Sequence, residues 1–174
     1  MKKGIVIWLT GLPCSGKTTL SKEIEKYFQQ KNLPIQRLDG DVVRETISKD
    51  LGFSKNDRDV NIERISYVAQ MLSDNGVNVV SAFVAPYQKM RNFTRSLCEN
   101  FVEVYVKCDI EECKRRDVKG MYAKAAKGQI KDFTGVDDPY ETPNNPEVAV
   151  NTEYEEIKES TEKIIRCVLN KHTL

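Results

Sequence analysis

Ile5-Val6-Ile7-Trp8-Leu9-Thr10-Gly11-Leu12-Pro13-Cys14-Ser15-Gly16-Lys17-Thr18 is the stretch that decides the fold. Residues 5–9 are a continuous apolar run rich in β-branched side chains, the texture of a strand buried on both faces of a parallel sheet. Residues 11–18 match G-x-x-x-x-G-K-[ST]. Glycines in that pattern let the backbone curl until its N–H groups face the phosphates of a nucleotide. Lys17 then reaches the β- and γ-phosphates, and the Thr18 hydroxyl can hold Mg²⁺. Residues 18–30 carry Leu20, Ile24, Tyr27 and Phe28 at helical spacing. The N-terminus of that helix faces the same anion. Strand, phosphate loop and helix in this order predict binding of a nucleoside triphosphate.

The pattern repeats outward from this unit. Strands are expected at residues 35–38, 77–84 and 102–107, with helices at 42–49, 57–74, 87–100 and 153–170. Strands alternating with helices imply βαβ units. The expected fold is therefore α/β: a P-loop NTPase of three α/β/α layers around a parallel sheet, nucleoside-monophosphate-kinase-like. Between residues 117 and 151 Gly, Pro, Lys and Asp accumulate and apolar periodicity fades. A segment this long without clear elements is read as a lid on a single domain spanning residues 1–174.

Composition narrows the partners. Of 174 residues, 40% are hydrophobic and 30% charged, which fits a globular protein and excludes a disordered or membrane-spanning chain. Lys and Arg number 27 against 26 Asp and Glu, a net charge of +1. No global field favours nucleic acid or a membrane, so anion recognition has to be local. Cys14, Cys98, Cys108, Cys113 and Cys167 are odd in number and lack the spacing of a zinc knuckle or redox dithiol. They read as buried or incidental thiols in a reducing compartment, and a cytoplasmic location is expected.

The phosphate loop alone does not separate kinases from GTPases or motors. A D-x-x-G after a hydrophobic strand and an N-K-x-D are both missing, whereas the second strand runs into Leu38-Asp39-Gly40-Asp41. Two carboxylates there stand beside the loop at the carboxyl edge of the sheet, where ligands bind in such folds. One can order the water shell of a metal, and the other can take a proton from an attacking hydroxyl. Arg44, Arg58, Asn61 and Arg64 follow, with Arg58 and Asn61 on one helix face. Guanidinium groups match phosphate and sulfate in two-point contacts, and Phe53 could stack on a base.

Taken together, these residues resemble the adenylyl-sulfate kinase (APS kinase) family. The matching pattern is Asp39-Gly40-Asp41-x-x-Arg44, then Leu51-Gly52-Phe53-Ser54-x-x-Asp57-Arg58-x-x-Asn61. Arg116-Asp117-Val118-Lys119-Gly120-x-Tyr122, Ile130-Lys131-x-Phe133-Thr134-Gly135, Pro139-Tyr140-Glu141 and Pro146-Glu147 continue in the family's order. The family transfers the γ-phosphate of ATP to the 3′-hydroxyl of adenylyl sulfate. The resemblance implies ATP and Mg²⁺ as cofactors, with Thr18 and Asp39 at the metal. Lys17, Asp41 and Asp39 would be catalytic, Asp41 as base or positioner. The donor would lie on Gly11, Cys14, Ser15, Gly16, Lys17, Thr18 and Thr19, with Arg115 or Arg116 near its adenine. The acceptor would meet Asp41, Arg44, Arg58, Asn61, Val84, Ala85, Lys119 and Asp132, its adenine sandwiched by Phe53 and Phe133.

One departure stands out. Bacterial members commonly read Ile-Ser-Pro-Tyr-Arg where this chain has Val84-Ala85-Pro86-Tyr87-Gln88. Ala85 has no hydroxyl, so a phosphoserine intermediate is closed to it and direct in-line transfer is expected. The same departure keeps a second acceptor in view, such as cytidine diphosphoramidate in capsule modification. A nucleotide-binding regulator that has lost catalysis is the reading from another class, and the intact Lys17, Thr18, Asp39 and Asp41 weigh against it. Nucleotide substrates are the expected partners, with a homodimer allowed and ATP sulfurylase on a separate chain supplying the acceptor.

Overall fold

A computed structural model describes residues 2–172. Five strands, β1 (Val6–Thr10), β2 (Ile35–Asp39), β3 (Asn78–Ala82), β4 (Phe101–Lys107) and β5 (Val148–Asn151), form one sheet in the order β2-β3-β1-β4-β5. Every pairing is parallel. The helices are α1 (Lys17–Gln30), α2 (Gly40–Glu45), α3 (Lys55–Asp74), α4 (Gln88–Leu97), α5 (Ile110–Arg116), α6 (Met121–Ala126) and α7 (Ile157–Lys171).

The apolar run of β1 explains the layers. Side chains alternate across a strand, so Ile7 and Leu9 join Leu20, Ile24, Phe28, Ile164 and Val168 under α1 and α7. Val6 and Trp8 face the other way, against Ile62, Ile65, Ala69 and Met90 of α3 and α4. Trp8 is fully buried, with Phe83 stacked at 5.6 Å and Phe101 at 6.4 Å. Burial of each such large side chain contributes about 1.5–3 kcal/mol. Asn78 fixes where the strands start: its Oδ1 accepts from the Ile5 N–H at 3.0 Å and its Nδ2 donates to the Pro34 carbonyl at 2.9 Å.

Several boundaries differ from expectation. The helix expected at 42–49 starts at Gly40, because the Asp39 carboxylate caps the Asp41 N–H at 3.1 Å. It stops at Glu45, beyond which Thr46 leaves helical geometry. The last helix starts at Ile157, since residues 153–155 turn back on Asn151, whose carbonyl accepts from the Tyr154 and Glu155 N–H groups. The segment expected to be irregular is not: it holds α6 and, at its end, β5 paired with β4. Residues 148–151 are therefore sheet and not lid. Helix α5, just before that segment, was also not anticipated.

A buried charge network joins α4 to this late segment. Arg91 is fully buried and meets Glu103 at 2.9 Å; Arg95 bridges Glu103 at 3.0 Å and Glu147 at 2.6 Å. Burial by itself would raise the Glu147 carboxyl. Hydrogen bonds from Arg95 and the Glu103 N–H, with the charges of Arg95 and Lys171, hold it at about 2.

Candidate active site

The phosphate loop leaves the carboxyl end of β1 and enters α1. At Gly11 a Cβ would lie 2.4 Å from the Val106 carbonyl oxygen, so only glycine fits against β4. Gly16 caps α1 in the left-handed region at φ +97°, with no side-chain cap. Such a backbone is open to glycine at no steric cost. Lys17 is buried, and its ammonium donates to the Gly11 and Leu12 carbonyls at 2.9 and 2.7 Å. Burial pushes the Lys17 amine down to about 8. Ser15 is fully buried, while Cys14, at φ +62°, is half-buried. The Cys14, Cys98, Cys108, Cys113 and Cys167 thiols are all free.

Beside the loop, β2 ends on Asp39. Its carboxylate accepts from the Thr18 hydroxyl at 3.2 Å and from Arg37 at 3.1 Å. Asp41, the second residue of α2, is exposed and pairs with Lys119. Thr18 and Asp39 thus offer two hard oxygens at one point, the donor type that Mg²⁺ takes alongside water and substrate phosphates.

The acceptor candidates gather next to this pair. Arg58 is buried at the start of α3; it donates to the Phe53 carbonyl at 3.0 Å, the Thr134 hydroxyl at 2.8 Å and Asp138 at 2.5 Å. It thereby ties the Phe53 turn to the segment carrying Phe133. Arg44 lies 4.4 Å over the exposed Phe53 ring and donates to the Gly52 carbonyl at 2.5 Å. Asn61 is buried one turn beyond Arg58, and its Oδ1 has no hydrogen-bond partner among the described residues. Phe133 packs edge-on against Tyr122 at 5.0 Å, and the Tyr122 hydroxyl reaches the Pro13 carbonyl of the loop at 3.1 Å. The exposed Asp132 sits in a turn closed by Asp137, which accepts the Asp132 and Phe133 N–H groups.

Three candidates are placed differently from the rest. Arg64 makes a two-point contact with Asp50, at 2.7 and 2.8 Å, on the surface. Arg115 is exposed and pairs with Glu112; Arg116 also pairs with Glu112, at 2.8 Å, and donates to the Thr152 carbonyl at 2.7 Å. Ala85 is buried in the Leu38, Val43 and Tyr87 cluster at φ +41°, its carbonyl accepting from Arg91 at 2.6 Å. The neighbouring Val84 offers its carbonyl to Thr10 at 2.6 Å. Gln88 accepts from Arg91 at 2.8 Å and donates to Asn92 at 3.0 Å, so its amide is engaged along α4.

Sequence reading missed several neighbours. Tyr87 donates to Asp138 at 2.5 Å, and burial together with that carboxylate pushes its hydroxyl up to about 12. A cleft of about 370 Å³ runs beside α1, lined by Gly16, Thr19, Arg116, Thr152, Tyr154 and Ile157. Thr152 and Tyr154 follow β5, and the alternation Val148-Ala149-Val150 was the signal that could have exposed that strand.

A family model described as adenylylsulphate kinase matches residues 3–151. An adenylyl-sulfate kinase of Halothermothrix orenii is 46% identical over 170 residues, covering 98% of this chain and 92% of that protein. A probable adenylyl-sulfate kinase of Pseudomonas aeruginosa is 50% identical over 163 residues, covering 94% of this chain and 76% of that protein. Among solved structures, the Mycobacterium tuberculosis APS kinase in complex with AMPPNP and APS superposes with a TM-score of 0.92 at 35% identity, covering 97% of this chain and 99% of that one.

Proposed function

The chain belongs to the adenylylsulphate kinase family, and from that premise we propose how its residues divide the work. The protein transfers the γ-phosphoryl group of ATP to the 3′-hydroxyl of adenylyl sulfate, giving ADP and 3′-phosphoadenylyl sulfate. The observation that carries the assignment of roles is the pairing of Thr18 with Asp39 at 3.2 Å, with Asp41 beginning the next helix. It supports Asp39 for the donor side and Asp41, exposed and paired with Lys119, for the acceptor side.

Phosphoryl transfer asks a protein for positioning and charge neutralisation more than for covalent help. Lys17 neutralises the transferring group; with its amine near 8 it is mostly charged at neutral pH. Mg²⁺ at Thr18 and Asp39 would neutralise the β- and γ-phosphate oxygens. Asp41 orients the 3′-hydroxyl and accepts its proton. Its pairing with Lys119 occupies that carboxylate until the acceptor arrives, when Lys119 can pass to the phosphates. Arg44, Arg58 and Asn61 hold the acceptor, with Phe53 and Phe133 against its adenine and Arg116 on the donor side. Ala85 leaves no hydroxyl to phosphorylate, so the transfer is direct. A cytoplasmic location, a homodimeric assembly and an adenylyl sulfate supply from ATP sulfurylase on another chain belong to the same reading. Among the described residues no helix is long and apolar enough to cross a membrane.

The test is ADP release coupled to product analysis. One 3′-phosphoadenylyl sulfate is expected per ADP, with little ADP formed when adenylyl sulfate is left out. ADP release at the same rate with and without acceptor would overturn the reading.

A further inference from the structure

We propose that Thr152 is a positioning residue for the donor, acting through the peptide between Ser15 and Gly16. The inference rests on the reading that the loop binds ATP. Thr152 directly follows β5, and its N–H donates to the Lys107 carbonyl at 3.1 Å, which fixes its backbone to β4. Its hydroxyl lies 2.7 Å from the Ser15 carbonyl, with the Lys107 carbonyl farther off at 3.4 Å. The single hydroxyl proton therefore goes to Ser15. The oxygen in turn accepts from Arg116 Nη1 at 3.3 Å, while Arg116 Nη2 donates to the Thr152 carbonyl at 2.7 Å.

The consequence follows from peptide geometry. In a trans peptide the C=O and the next N–H point in opposite directions from one plane. Holding the Ser15 carbonyl out toward Thr152 aims the Gly16 N–H the other way, into the curl of the loop where phosphate oxygens sit. Gly16 has no side-chain cap and its left-handed backbone imposes no steric preference of its own. Thr152 supplies the missing constraint from outside the loop, and the same oxygen links Arg116, on the donor side of the cleft, to the phosphate cradle.

The experiment is calorimetric binding of ADP with Mg²⁺ to the full chain, beside steady-state KM values for ATP and adenylyl sulfate. Thr152→Val keeps the branched shape, and the methyl near Gly16, but loses the oxygen. ADP affinity should fall about tenfold, the scale of one hydrogen bond that orients a donor toward a charged group. KM for ATP should rise in parallel and KM for adenylyl sulfate should change less than twofold. Thr152→Ser should restore ADP affinity to within about twofold. If the Val variant does not fold, Thr152→Ser and Thr152→Ala differ by the oxygen alone and make the same comparison. Wild-type ADP affinity in the variants that lack the oxygen, or equal losses with and without it, overturns the proposal. Binding is measured without acceptor, so failure of the protein to turn over adenylyl sulfate would refute the proposed function while leaving this result readable.

Discussion

Lys17 titrates near 8 because burial in the loop takes it out of water, a loss that its bonds to the Gly11 and Leu12 carbonyls do not make good. Bound phosphate would raise that value, so ATP binding takes up a proton once the free protein has begun to lose it. ATP affinity should therefore hold below pH 8 and weaken as pH rises above it; Lys17→Met should bind weakly and show no such limb in a pH series of titrations. At Asp41 the expectation is kinetic. Asp41→Asn keeps the size and loses the basicity, so kcat should drop about 10²–10⁴-fold while ATP affinity stays within a few fold. If Asp39→Asn behaves that way instead, the two roles are exchanged. Ala85 tests the route of transfer. Its side chain points into an apolar cluster from a left-handed backbone. Ala85→Ser should cost about 1–3 kcal/mol of stability for a buried hydroxyl and alter the rate only modestly. Covalent phosphate on that serine, turning over as fast as product forms, would show that the transfer is not direct.

Among the elements, those legible in the sequence were the ones with a long apolar period. The run at 5–9, the glycine pattern at 11–18 and the spacing of α1 and α3 each carry a physical signal of their own, and the donor loop with Asp39 and Asp41 could be read from them. What stayed hidden depends on partners distant in sequence. β5 has four residues and is a strand because β4 supplies its ladder. α5 and α6 have seven and six residues, too short to display a period. Losing β5 meant losing Thr152, and Tyr87 and Asp138 meet across 51 residues. Glu147 shows what secures this late strand. Its carboxyl is held near 2, below the unfolded range of about 4.3. A depressed carboxylate contributes stability that is complete above the unfolded value and is lost as pH falls toward the folded one. The loss should fall between about pH 4.5 and 2. Glu147→Gln should remove on the order of 2 kcal/mol at pH 7, after allowance for solvent screening, and little at pH 2. Urea denaturation at the two pH values checks this, and an equal loss at both would dismiss the ion pair as the cause.

At the scale of the whole molecule, the proposed lid is the segment after α5. Residues 148–151 belong to the sheet, and Tyr140 and Glu141 are tied down by Thr10, at 3.0 Å, and by the Pro86 carbonyl, at 2.8 Å. The part free to move is therefore about 117–138. It carries four lysines, Lys119, Lys124, Lys127 and Lys131, and three of its four aspartates, Asp132, Asp137 and Asp138, follow them. Its lysine-bearing half offers local positive charge to anionic substrates when it closes. Two of its fastenings, Lys119 to Asp41 and Asp138 to Arg58, hold the groups assigned to the acceptor. On the proposed roles the acceptor would exchange with these contacts, and its binding would reorganise the lid directly. Closure would exclude water and limit wasteful hydrolysis of ATP. Hydrogen exchange should then divide this stretch in two. Amides within 117–138 should slow when ADP and adenylyl sulfate are both present, whereas those of β5 should be protected from the start and unchanged. Slowing in β5 would place the hinge inside the sheet, and equal exchange across 117–138 with and without ligands would remove the lid altogether.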